Sequence, residues 1–383
     1  MTPHNLKETK STGNLFLIVL SCYLALVSLI FGAGIGQSID IYGKTIFALL
    51  LFSIFYFMIN IKKLYIPASW VFVFFIIIMQ CIICNLQFGK TYFDYLRIFL
   101  IFIPFATFTI YKSMLTVISL FYGVFGLAIL LVANFTPLFS GWDGNSISLN
   151  AFFSYVVFIV AFCETRKPKI LWFLTVYSII YYLLLIKFNS RSTILFSIFL
   201  FLSVLSIIPL RRNLNKTWLV IILILPLIIA VFIVMIKDNS FIVRLNSWSY
   251  NNTNKPIFNG RDELWENGFK QWLRYPIFGT GNINYTAHNS AITCLVGGGA
   301  VGYCVFVFSI YKLLKKGLFW FNDTTVFGLV AAFLTIWLQQ SVELGLMASA
   351  VNPIPYMILA LLYSRIKTLE KNDAQIKCDN SCL

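Results

Sequence analysis

Long apolar runs alternate with short polar connections along most of the chain. A helix needs about 20 mostly apolar residues to cross a bilayer. The pattern predicts twelve such spans: 14–36, 42–60, 67–87, 95–111, 114–134, 149–163, 169–187, 192–210, 217–236, 289–313, 320–342 and 345–364. The sixth is short and starts polar, and the eleventh carries Asn322 and Asp323 near its beginning. The alternation breaks once, over 237–288, where a long polar stretch follows the ninth span. Loops of that length are uncommon and usually functional. The chain therefore divides into an N-terminal bundle of about nine spans (1–236), a long loop (237–288), C-terminal spans (289–366) and a polar tail (367–383).

Within the loop, Asn259-Gly260 is a turn signal. Helical spacing follows from Arg261 to Arg274. Leu264, Trp265, Gly268, Phe269, Trp272 and Leu273 fall on one side, and Asp262, Glu263, Glu266, Lys270 and Gln271 mostly on the other. This predicts an amphipathic helix that lies on the membrane face, packs on the bundle, or does both. Pro276 ends it. Gly279-Thr-Gly281 is a tight turn leading back to the membrane, without the remainder of a nucleotide-binding loop. Gly297-Gly298-Gly299 and Gly302 fall in the tenth span and are read as sites of close helix packing rather than a gating hinge.

Composition fixes the class. The 383 residues are 59% hydrophobic and only 11% charged, too few charges for a water-soluble surface. The expected fold is an all-α polytopic membrane protein of about twelve transmembrane helices, with one long extracytoplasmic loop. The net charge of +15 reads as basic inner loops rather than a nucleic-acid surface. With both termini cytoplasmic, the short inner segments hold 18 Lys and Arg against 5 in the short outer ones, so the long loop is extracytoplasmic. Most of the eight cysteines sit in apolar runs and pack as small hydrophobes. Cys81-Ile-Ile-Cys84 has redox spacing but lies mid-span, which argues against a redox or metal role. The first apolar run is long enough to span and is read as mature structure rather than a cleaved leader.

Candidate chemistry gathers on the outer side. His288 stands where the loop re-enters the membrane, followed by Asn289. Histidine exchanges a proton near neutral pH. Arg191 opens the eighth span, and Arg244 and Arg261 lie in the loop. Arginine grips phosphate oxygens and keeps its charge, so this set suits a diphosphate-linked lipid. Glu343, at the end of the eleventh span, is an ionisable group at membrane depth that could pair with an arginine or hold a sugar hydroxyl. Trp142 and Asp143, in Gly141-Trp-Asp-Gly-Asn-Ser146, form a second outer patch of the kind that holds sugars, although an ordinary interfacial tryptophan with a turn is the better explanation of these residues alone.

With these residues in hand, the chain resembles the bacterial O-antigen polymerase and O-antigen ligase superfamily. The likeness runs through Asn189-Ser-Arg191-Ser, Asn259-Gly-Arg261 with Leu264-Trp265, Tyr275-Pro-Ile-Phe-Gly279-Thr-Gly281, His288-Asn289 and the span with Gly299 and Gly302. It covers roughly 140–365. The resemblance implies a GT-C-like, metal-independent glycosyltransferase without a cofactor, acting on the outer face of the bacterial cytoplasmic membrane. Its donor would be an undecaprenyl-diphosphate-linked glycan and its acceptor another glycan, with a chain-length regulator an open partner. Residue by residue, Arg191 and Arg261 would hold the diphosphate and His288 would be catalytic. Arg244, Asn289, Glu343, Trp142 and Asp143 would contact substrate. Ser290, Ala291 and Ile292 follow His-Asn where the family often has a bulky residue. The expected activity is repeat-unit polymerisation. The alternatives are transfer of finished glycan to lipid A–core, as in a ligase, and transport of lipid-linked oligosaccharide.

Overall fold

The computed structural model describes residues 18–26, 75, 79, 82, 112–139, 144–163, 167–188, 190–205, 207–253, 256–281, 285, 287–343, 346 and 352–381. Trp142, Asp143 and nearly all of the first four expected spans lie outside these residues. The described residues are helical or irregular, without strands.

The helices are α1 (Lys112–Phe135), α2 (Gly144–Val160), α3 (Pro168–Ile186), α4 (Arg191–Val204), the single turn α5 (Leu210–Asn213), α6 (Lys216–Ile236), α7 (Ser240–Thr253), α8 (Arg261–Arg274), α9 (Ser290–Phe319), α10 (Thr324–Gln339) and α11 (Pro353–Ser381). Among the described residues α1, α3, α6 and α9 are long and apolar enough to cross a membrane, and α2, α4 and α10 are apolar but shorter. Two expected spans are shortened for local reasons. The eighth, expected to reach 210, ends as α4 at Val204, and the chain turns before Pro209. The eleventh, expected from 320, begins only at Thr324. The Asp323 carboxylate caps it by accepting from the Val326 amide at 3.0 Å. The long polar stretch holds the expected helix α8 and a second one, α7, which the pattern did not predict.

Helix α10 is the hub. It is apolar all round and almost wholly buried, as a helix surrounded by others must be. It packs against α2, α4, α6, α9 and α11. Arg365 of α11 donates to Asp323 at 2.6 Å and ties α11 to the start of the hub. The hub's other end, Gln339 to Glu343, is stitched to the start of α9. The Ser290 amide donates to the Gln340 carbonyl at 3.0 Å, and its hydroxyl to the Gln340 side chain at 3.1 Å.

Helix α8 packs on the bundle, against α6 and α9, as one reading of its amphipathic pattern expects. Trp265 is fully buried, and its indole N–H donates to the Ala287 carbonyl at 2.6 Å. The Tyr285 hydroxyl donates to the Leu264 carbonyl at 2.6 Å. Lys237, just past α6, pairs with Glu266, which also takes Lys270 at 2.5 Å. These two cations, Lys237 first, pull the Glu266 carboxyl down to about 2. Leu273, expected on the packed side, is exposed, because it lies at the margin of the stripe.

Helix α9 is broken at Gly299, whose backbone (φ 62°, ψ −169°) is far from helical. The strap after α8 is threaded into the break. The Thr280 and Gly281 amides donate to the carbonyls of Val296 and Gly297, both at 2.8 Å. The Ala300 and Val301 amides donate to those of Pro276 and Ile277, at 2.8 and 3.1 Å. The strap therefore satisfies the groups that a helix break would leave orphaned. This corrects the packing-only reading of the glycine run. The two backbones are so close that a Cβ on Gly299 would lie 2.3 Å from the Ile277 carbonyl oxygen, and one on Gly279 2.5 Å from the Gly299 amide. Gly299→Ala is expected to destabilise the protein by about 3 kcal/mol or more, from overpacking on rigid backbone plus a left-handed alanine. Gly260→Ala, with nothing within 4 Å of the new methyl, is expected to cost only about 1 kcal/mol. Thermal melting of the two variants in one detergent measures the contrast.

Candidate active site

Three helix beginnings meet at one carboxylate. Ser192, in the first turn of α4, donates its hydroxyl to Glu343 Oε1 at 3.1 Å. Arg261, the first residue of α8, donates Nη2 to the same oxygen at 2.7 Å. His288, two residues before α9, places Nδ1 3.6 Å from Oε2. That is longer than a hydrogen bond, and Nδ1 has no other partner among the described residues. The contact is an electrostatic one that a short movement would close.

Local sequence explains each placement. Asn259 (φ 53°) and Gly260 (φ 74°) make a tight left-handed turn closed by the Arg261 amide on the Phe258 carbonyl. Asparagine and glycine are the residues that tolerate it. The turn points Arg261 at the hub rather than at solvent. An arginine at a helix N-terminus opposes the helix dipole, so helix stability does not account for it. His288 is itself left-handed (φ 47°), a conformation that is rare outside glycine and costs free energy. Strain of this kind concentrates at functional sites. Here it separates the two neighbours: His288 keeps a part-exposed side chain, while Asn289 turns fully inward.

Asn289 is consumed by structure. Its Oδ1 accepts from the Ala291 and Ile292 amides at 2.9 and 3.2 Å and so caps α9. Its Nδ2 donates to the Pro226 and Ser341 carbonyls at 3.0 and 2.9 Å. All four of its hydrogen bonds are made within the protein, which leaves none for the substrate contact expected from the sequence. Pro226 sits inside α6, where a proline removes a donor and distorts the ladder. The neighbouring Leu223 carbonyl takes the Trp337 indole at 3.2 Å. Asn289→Ala is expected to lower stability by about 2–4 kcal/mol, since it removes the cap and strips a donor from two buried carbonyls. The fall should appear in thermal melting even without substrate.

The Asn289 contact with Pro226 sets the depth of the site. Asn289 meets α6 at its middle, ten residues short of Ile236, so the cluster stands roughly 15 Å below that end of α6. There Arg261 and Ser192 both donate to Glu343 Oε1. The side chains of Glu343 and Arg261 are 11% and 20% exposed, and that of His288 is 38% exposed.

The remaining sequence candidates divide. Arg191 is the first residue of α4, next to Ser192, and exposed, with no acidic partner among the described residues. It stands at the rim of the cluster. Arg244 is exposed on α7, and no hydrogen bond or ion pair joins it to the cluster among the described residues. Ser192 was quoted within the Asn-Ser-Arg-Ser motif but given no role; a serine beside a candidate arginine carries no signal of what lies across from it. No group of His, Cys, Asp and Glu suited to a metal occurs among the described residues.

Residues 176–307 match the family model described as O-antigen ligase. The match covers about a third of the chain. The matched segment contains Arg191, Ser192, Arg244, Arg261, His288 and the Gly299 break, whereas Glu343 and the hub α10 lie beyond it. The match supports the likeness to the O-antigen polymerases and ligases. No curated protein and no solved structure matches the chain.

Proposed function

We propose that the chain is a repeat-unit polymerase of the bacterial cytoplasmic membrane. It would transfer glycan from an undecaprenyl-diphosphate carrier to an acceptor sugar on another lipid-linked unit, on the outer face. The observation that carries this reading is the convergence of three helix N-termini on Glu343, bringing Ser192, Arg261 and His288 together, with Arg191 beside Ser192. Each helix start presents amide donors and a partial positive charge, so the recess favours a polyanion.

The chemistry follows from the leaving group. An acceptor hydroxyl attacks the anomeric carbon of the donor sugar, a new glycosidic bond forms, and the bond to the lipid diphosphate breaks. Negative charge grows on the departing diphosphate. Arg261 meets it with the guanidinium donors that Glu343 leaves free, and Arg191 meets it from the rim. Fixed charges that need no rearrangement are usually the largest contribution to such a transition state. His288 takes the proton from the acceptor hydroxyl, and Glu343 orients the ring through its Nδ1 face. The arginines and histidine account for the leaving-group and proton chemistry without a step through a metal or cofactor.

The compact chain and the single long loop favour polymerisation. The family description favours the second reading, ligase transfer of finished glycan to lipid A–core. Surface polysaccharide from cells lacking the gene separates them on a gel. Loss of the ladder with a single repeat unit on its acceptor supports the polymerase. Long glycan left on the lipid carrier with a bare acceptor supports the ligase. A normal ladder after complementation with His288→Ala would overturn both and return attention to a transporter.

A further inference from the structure

Glu343 stands where electrostatics alone would not put a carboxylate. It lies just past the C-terminus of α10, where the helix dipole disfavours an anion. It is largely buried, so solvent does little to screen its charge. In a recess that favours a polyanion it repels the ligand and competes with it for Arg261. It also lies outside the segment 176–307 that carries the family motifs. The retention of this charge at this place asks for a role of its own.

Its two oxygens serve different neighbours. Oε1 accepts from Arg261 Nη2 at 2.7 Å and from the Ser192 hydroxyl at 3.1 Å. Oε2 faces His288 Nδ1 at 3.6 Å. That nitrogen is shielded from solvent and has no hydrogen-bond partner among the described residues. The His288 side chain is nevertheless part exposed, so its open edge is the one away from Nδ1. One carboxylate therefore stands between the cation at the start of α8 and the imidazole that precedes α9, touching the first and falling just short of the second.

We propose that Glu343 is a positioning residue that couples donor binding to the base: it restrains Arg261 until a diphosphate arrives, and then closes on His288. The inference rests on the proposed function, from which it takes the diphosphate and the base. A diphosphate that shares the Arg261 guanidinium removes part of the counter-charge of Glu343. The carboxylate is then drawn to the next donor within reach, and a shift of roughly half an ångström brings Oε2 into hydrogen-bond range of Nδ1. During transfer the acceptor O–H bond breaks and its proton goes to Nε2, while Nδ1 keeps its own. The ring becomes positive, and Glu343 offsets that charge without taking the proton. This is the part a third group plays when it orients a base. The acceptor hydroxyl is thereby activated where a donor is already bound.

The test reads diphosphate binding and transfer on the same purified full-length protein in one detergent. The binding probe is geranyl diphosphate, followed by the rise in melting temperature it causes. The transfer substrate is the lipid-linked repeat unit extracted from cells lacking the gene. Glu343→Gln removes the charge and keeps the size. It should bind the probe about three- to tenfold more tightly, because Arg261 is no longer shared. It should nevertheless transfer about 10²-fold more slowly, because the imidazole has lost its partner. These opposite signs are the signature, since a residue that only braces the site loses binding and rate together. Glu343→Asp keeps the charge and draws it back by one methylene. It should bind the probe as wild type does and transfer at a rate between the two, and it carries the test if the glutamine variant does not fold. Weaker probe binding in either variant, or wild-type transfer by Glu343→Gln, would overturn the coupling and leave the roles of Arg261 and His288 standing. A wild-type protein that does not respond to geranyl diphosphate would remove the diphosphate reading itself.

Discussion

His288→Ala is expected to lower glycan transfer by about 10²–10⁴-fold, the range for loss of a positioned general base. The side chain is part exposed and makes no hydrogen bond, so its removal leaves no buried partner stranded. The backbone complicates the alanine variant, because φ is 47° and alanine resists the left-handed region. His288→Asn removes the imidazole with a residue that tolerates this conformation. Both variants should lose the polysaccharide ladder. His288→Asn should melt within a degree or two of wild type, and His288→Ala somewhat lower, by about 1 kcal/mol. A ladder retained by His288→Asn at wild-type expression would show that the imidazole takes no part in transfer.

Arg261→Ala is expected to act twice. Loss of a fixed charge facing the leaving diphosphate should reduce transfer by about 10²–10³-fold. It also leaves Glu343 largely buried without its cation, which should lower stability by about 2–4 kcal/mol. The double variant Arg261→Ala/Glu343→Gln separates the effects. Neutralising Glu343 removes the stranded charge, so the melting temperature should recover while transfer stays low. Recovery of both would mean that Arg261 serves only as a counter-ion.

The sequence by itself determined the membrane class and most helix positions in the described part of the chain. Apolar runs of span length leave a chain few choices, because backbone polar groups in lipid must be paired within helices. The α6 and α8 ranges follow from uninterrupted periodicity and from the Asn259-Gly260 turn. The family likeness and the matched segment 176–307 rest on the same local motifs.

What only the tertiary structure decided is how distant segments share an atom. Ser192, Arg261, His288 and Glu343 are spread over some 150 residues, and no periodicity links them. Asn289 looked like half of a functional pair and proves to be a structural cap, because burial and four hydrogen-bond partners are properties of the fold. The glycine run in α9 read as helix packing, since a sequence shows that glycine permits close approach but not what approaches. The strap of Pro276 to Gly281 fills that place, and it ties the helix carrying Arg261 to the helix that His288 precedes. Local chemistry is written in neighbouring residues; a site made at the meeting of helix ends depends on long-range packing.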